Sequence, residues 1–177
     1  MKATGVVRRI DDLGRIVIPK EIRKNLRIHE GENLEIFVDQ DENIVLRKYS
    51  LMNKIDDLAS DFTDSIHTFT NYNVIITDTD KIIAISGPLK KEYLDKPISN
   101  SLAISINRRE NILENHKKTI SLTDDDEIEA TYAMSTIVAN GDAVGLVTIL
   151  STDNIVTEND NKIVRITSKF LAKHLEE

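Results

Sequence analysis

Apolar residues alternate with polar ones, or cluster, in ways that predict a different architecture on either side of residue 50. Val6, Val7 and Ile10 belong to a β-branched run, residues 11–14 offer a turn, and residues 15–18 resume an extended pattern that stops at Pro19. Proline suits the first turn of a helix, and PKEIRKNLRI then places Ile22 and Leu26 four apart on one face, with Lys20, Arg23, Lys24 and Arg27 largely elsewhere. After Gly31, LEIFV and NIVLRKY predict two strands around the turn-prone DQDEN. The expected order in the first fifty residues is therefore strand, strand, short basic helix, strand, strand. A unit of that size buries only a little over half of its unfolded surface, and this one has no disulfide to compensate. Sharing a core with an identical copy closes its strand edges and doubles its basic side chains about a two-fold axis.

Beyond residue 50 the period changes. Leu51, Ile55, Leu58, Phe62, Ile66 and Phe69 fall three and four apart, the stripe of an amphipathic helix that faces either the following domain's core or a partner helix. NVIITD and KIIAISG predict strands, followed by GPLKKEYLDK and a helix over SLAISINRRENILEN. A sheet resumes at KKTISL, passes the acidic loop DDDEIE, and continues in TYAMSTIVA and DAVGLVTIL, joined through Asn140 and Gly141, a strong hairpin pair. A last helix enters at Thr157, with Glu158 and Asp160 in its first turn and Ile163, Ile166, Phe170 and Leu171 expected along its buried side. Antiparallel strands with helices around them predict a three-layer α+β domain.

Charge sharpens this division. The chain of 177 residues carries a formal charge of −7, yet residues 1–27 hold Lys2, Arg8, Arg9, Arg15, Lys20, Arg23, Lys24 and Arg27 against only Asp11, Asp12 and Glu21. Residues 28–46 contain six carboxylates and no lysine or arginine. Such asymmetry suggests a polyanion-binding front joined to a body with another task, the plain alternative being a solvated surface. Apolar residues make up 40% and charged residues 30%, enough for folded cores. The chain has no cysteine, which suits a reducing cytosol, and neither a leader-like apolar segment nor a membrane span is expected.

Little points to catalysis. His29, His67, His116 and His174 are scattered, without zinc-ligand spacing, and Asp124, Asp125 and Asp126 are consecutive rather than alternating as in a calcium loop. No phosphate-loop, dinucleotide-binding or nucleophile-elbow motif occurs. Neither catalytic residues, a metal nor a cofactor is expected.

The stretch TGVVRRIDDLGRIVIPKEIRKNL, with the later glycine and LEIFVD, resembles the DNA-binding domain of the AbrB/SpoVT family of bacterial transition-state and sporulation regulators. The resemblance covers residues 1–50 and implies a swapped-hairpin barrel in which two chains interleave. It further implies DNA contacts from Arg8, Arg9, Arg15, Arg23 and Lys24, the last departing from an arginine common there. Strict strand alternation sends Arg8 and Arg9 to opposite faces, so one of them reaches round the barrel or meets only phosphate. A folded second half disfavours the toxin-wrapping antitoxins that share the barrel. VIITDTDKIIAISG, KKEYLDK and STIVANGDAVG resemble the GAF-type domain found in sporulation members of the family, although DDDEIEATYAM diverges. The implied organisation is a DNA-binding domain over residues 1–50, a connecting amphipathic helix over 51–70 packing on or between GAF domains, and a GAF-like domain over 71–177. The implied protein is a cytoplasmic, nucleoid-associated activator and repressor of sporulation genes in the forespore. It binds double-stranded DNA as a homodimer or homotetramer. GAF domains commonly bind small molecules, so a sensor whose ligand modulates oligomerisation and DNA affinity is the alternative. No cyclic-nucleotide signature or reductase thiol is present, and nothing polar visibly converges on a pocket.

Overall fold

A computed structural model describes residues 5–26, 28, 30, 31 and 33–176, with Asn53 and Lys54 described by backbone alone. Lys2, Arg27, His29 and Glu32 lie outside the described residues. The chain divides into two compact units, Met1–Tyr49 and Ser50–Glu177.

The first unit contains a one-and-a-half-turn helix α1 (Lys20–Asn25), preceded by Pro19 at φ −58°, and the antiparallel hairpin β1 (Leu34–Val38) and β2 (Ile44–Lys48). Asp39 closes that hairpin, accepting from the backbone N–H of Asp41 and Asn43 at 3.0 and 2.9 Å. The expected first pair of strands does not form a ladder within the chain. Residues 6–10 and 15–18 are joined only through a turn, with Asp11 N–H donating to the Arg15 carbonyl at 3.1 Å and Gly14 N–H to the Asp11 carbonyl at 3.0 Å. A strand needs a hydrogen-bonded neighbour, and a single copy supplies none here. Among the described residues of this unit none is buried.

The second unit is a five-stranded antiparallel sheet between two helical layers. Its strands are β3 (Asn73–Thr77), β4 (Ile82–Ser86), β5 (Asn111–Ile120), β6 (Ile128–Ala139) and β7 (Asp142–Ser151), in the order β4-β3-β7-β6-β5. A 3-10 turn at Leu51–Ile55 leads into α2 (Asp56–Thr70), and α5 (Glu158–Leu175) closes the chain. Both cover one face of the sheet, where Val74, Ile76, Val147 and Ile149 point. The short α3 (Lys90–Tyr93) and α4 (Asn100–Asn107) cover the other, where Ile75, Leu146 and Leu150 point. Because β3 and β7 are buried on both sides, successive residues are apolar rather than alternating. The Asn140-Gly141 turn joins β6 to β7 as expected, with φ of 50° and 85°, and Arg109 donates to the Gly141 carbonyl at 2.5 Å.

In this unit the structure departs from two sequence expectations. The helix over SLAISINRRENILEN stops at Asn107, because Arg109 takes a left-handed φ of 55° and NILEN opens β5. In α5, Ile166 and Phe170 face outward, at 67% and 48% exposure, while Val164, Thr167, Ser168, Leu171, Ala172 and Leu175 make the buried side. Thr157 caps that helix in a reciprocal box with Asp160, as its sequence foretells. Both edges of the sheet are irregular. β5 bulges between Glu114 and Lys118, and beyond β4 the chain returns over 95–98, with Asp95 N–H on the Ile82 carbonyl at 3.0 Å and a bridge from Lys81 to Pro97.

The β3–β4 turn holds the buried carboxylate of Asp78. Its Oδ1 accepts from Asp80 and Lys81 N–H, both at 2.6 Å. Burial pushes this carboxyl above its usual range, against the two backbone N–H groups that pull it down. With the folded pKa above the unfolded one, the group favours folding below the unfolded value and loses that contribution as pH rises through the folded one. Asp78→Asn keeps an oxygen acceptor for the turn. It is expected to raise Tm at pH 7 by about 2 °C, a gain that disappears towards pH 4 in thermal melts across that range.

Candidate nucleic-acid interface

The basic residues singled out above flank the turn, with Arg8 and Arg9 before it and Arg15 after it, or lie on α1, as Arg23 and Lys24 do. Arg8, Arg9, Arg15 and Lys24 are exposed, whereas Arg23, in the last turn of α1, is half-buried, with its Nε shielded from solvent and lacking a hydrogen-bond partner. The Arg8 guanidinium donates to its neighbour's carbonyl at 3.4 Å. Gly14, at φ +73°, supplies the left-handed step that lets residues 11–15 double back.

Asp11 organises that step. Its Oδ1 accepts from the backbone N–H of Leu13 at 3.0 Å and of Arg15 at 2.8 Å, and its Oδ2 accepts from Arg15 Nε at 2.7 Å. The backbone N–H of Arg15, then its guanidinium, hold the Asp11 carboxyl below the usual carboxylate range. In the sequence Asp11 stands out as a turn residue and a countercharge, not as a partner of Arg15. Its four-residue spacing from Arg15 across a glycine turn is the signal that would have exposed this contact.

Apolar side chains surround the cations. Val7 and Leu13 are 86% and 70% exposed, and Ile10, Ile16, Val17, Ile36 and Ile44 are exposed with them. Two β-branched segments without a strand ladder, a glycine turn and a hairpin thus present cations and unburied apolar surface together. Such a unit can gather phosphates once its apolar surface is covered.

The second unit offers different chemistry. Asp124 receives the Asn100 N–H at 2.7 Å and the Asn100 side-chain amide at 3.2 Å, while Asp126 receives the Thr123 N–H at 3.1 Å. The acidic loop therefore binds the start of α4. His67 Nδ1 lies 2.7 Å from the Tyr72 carbonyl, and the His174 ring stacks on Phe170 with centroids 6.4 Å apart. Among the described residues no three carboxylates or histidines gather as a metal site, and no helix is long and apolar enough to cross a membrane.

Comparison with known proteins gives this arrangement its context. The family model "Stage V sporulation protein T C-terminal, transcription factor" matches residues 54–176, and "Antidote-toxin recognition MazE, bacterial antitoxin" matches residues 7–52. Stage V sporulation protein T of Bacillus subtilis is 46% identical over 178 residues, spanning 100% of both chains. The transition state regulatory protein AbrB of the same organism is 59% identical over 49 residues, covering 28% of this chain and 50% of that protein. The GAF domain of nlh2 from A. aeolicus superposes with a TM-score of 0.55 at 12% identity, covering 72% of this chain and 95% of that one, which bears on fold alone. The chain therefore belongs to the stage V sporulation protein T family of transcription factors, an AbrB-like DNA-binding unit followed by a unit of GAF fold.

Proposed function

We propose that the protein regulates sporulation genes, activating some and repressing others, by binding double-stranded DNA as a dimer through residues 1–50. In this reading Arg8, Arg9, Arg15, Arg23 and Lys24 of both copies form one surface, residues 51–70 connect, and residues 71–177 assemble the oligomer. It works in the cytoplasm at the nucleoid, in the forespore of a spore-forming bacterium. The observation that carries the reading is the coincidence, in the first unit, of exposed cations with an apolar complement that has no interior of its own. Covering that complement with a second copy brings ten such side chains together. Arginines suit both phosphate and guanine edges, whereas Lys24 brings a point charge without a planar fork. With few other base-reading groups present, the shape and deformability of the duplex supply much of the selectivity.

Neutralising six to ten phosphates lowers affinity by roughly 10³ to 10⁵ between 50 and 200 mM salt. Arg15→Ala is expected to weaken binding and to flatten that salt dependence in a gel-retardation or fluorescence titration. Wild-type affinity and slope in the variant would count against the reading.

Pairing of dimers through the second unit draws support from the outer side of α2 and α5. Phe69 is 89% exposed there, Ile166 and Phe170 project likewise, and the Phe62 and Phe170 rings meet with centroids 5.1 Å apart. Solvent-facing aromatic groups on adjacent helices are the apolar stripe of a helix–helix interface. Phe170→Glu is expected to shift the solution mass from four chains to two with little change in Tm, read by light scattering.

A small-molecule ligand for the second unit draws on one observation. Thr77 and Thr148 lie on the α3–α4 side of the sheet on paired strands, with both hydroxyls buried and without hydrogen-bond partners. Under this second reading a metabolite screen yields a compound that raises Tm, and Thr148→Val abolishes the rise while the protein stays folded.

A further inference from the structure

We propose that Asp11 is a positioning residue for DNA recognition: its carboxylate holds the Arg15 guanidinium through Nε, so that an acidic group inside the basic cluster tightens specific binding. The inference rests on the reading of Arg15 as a DNA contact.

Electrostatics alone argues the opposite. Asp11 stands between Arg8, Arg9 and Arg15, and a carboxylate facing a polyanion repels it, so deleting the charge would be expected to strengthen binding. The contacts of Asp11 outweigh that cost. Oδ1 takes the backbone N–H of Leu13 and Arg15, which fixes the turn, and Oδ2 takes Arg15 Nε at 2.7 Å, which fixes the side chain relative to the turn. An unrestrained arginine samples many rotamers and loses them on docking, so holding it beforehand removes part of that loss. The Asp11 bond engages Nε at the root of the guanidinium, and the Arg15 side chain remains 70% exposed. Its outer end carries the two terminal nitrogens, which make planar two-point contacts with phosphate or with a guanine edge. The Arg15 backbone N–H and guanidinium hold the Asp11 carboxyl below its usual range, so these contacts favour the charged form. A lysine at position 15 has one nitrogen and cannot serve both ends.

The test is a four-protein cycle of full-length wild type, Asp11→Asn, Arg15→Ala and the double variant. The probes are a duplex selected with the wild type from a random-sequence pool and a scrambled duplex, titrated at several salt concentrations. Asparagine keeps an oxygen for the two backbone N–H groups and drops only the charged hold on Arg15. Asp11→Asn is expected to weaken the selected duplex roughly tenfold, the pair occurring twice per dimer, while binding to the scrambled duplex stays level or tightens. In the Arg15→Ala background the same change is expected to be neutral or to strengthen binding. Asp11→Asn that binds the selected duplex as tightly as wild type, or that weakens it equally in the Arg15→Ala background, overturns the proposal. Wild-type affinity in Arg15→Ala overturns the prior reading of Arg15 instead. Should Asp11→Asn melt early, Asp11→Ser, which keeps a hydroxyl acceptor for the turn, takes its place: loss on the selected duplex that vanishes in the Arg15→Ala background supports the proposal, and unchanged affinity or an equal loss in both backgrounds overturns it.

Discussion

Burial is the constraint on which the first unit depends. Its described residues include no buried side chain, while valines, isoleucines and leucines on its turn, helix and hairpin meet solvent. Fifty residues without disulfides gain little against chain entropy from such a surface, so in the dimeric reading folding and association become one event. The strand pairs of residues 6–10 and 15–18 are missing from the single chain for the same reason. In that reading DNA affinity is tied to assembly, since the process that completes the fold also sets the density of positive charge.

The second unit obeys a different rule and was correspondingly easier to anticipate. Doubly buried strands such as NVIIT and the run GLVTIL stand out as apolar blocks, and an Asn-Gly pair between two of them fixes the hairpin. Helix boundaries were less legible. NILEN could continue a helix or begin a strand, and only the left-handed Arg109 decides it. In α5 the bulkiest residues misled. Ile166 and Phe170 turn outward, and the sheet is met by Thr167, Ser168 and Ala172, small groups that let the helix settle close to β6, with Ser168 and Ser135 hydroxyls 2.8 Å apart. Apolarity shows which residues can be buried. It does not show which helical face the neighbouring strand has room for.

At the candidate interface the legible part was charge. Eight cations in the first 27 residues, in a chain of net charge −7, name the kind of partner without a fold being known. What charge counting could not supply is direction. Asp11 and Glu21 count alike as negatives, yet Asp11 is bonded to the turn and to an arginine side chain, whereas Glu21 sits in the first turn of α1. Geometry of that kind arises from a left-handed glycine and two backbone N–H groups, features that composition averages away.

The sheet of the second unit has edges that refuse further strands. On one side β5 is broken by its bulge and lined with Glu114, His116, Lys117 and Lys118; on the other, the returning segment 95–98 occupies β4. Strand-by-strand growth, the route to open-ended fibres, is thus closed off. With both edges blocked, the proposed pairing of second units falls to their helical faces, and a self-complementary contact of that kind is used up once two molecules have met, which would keep such an assembly finite.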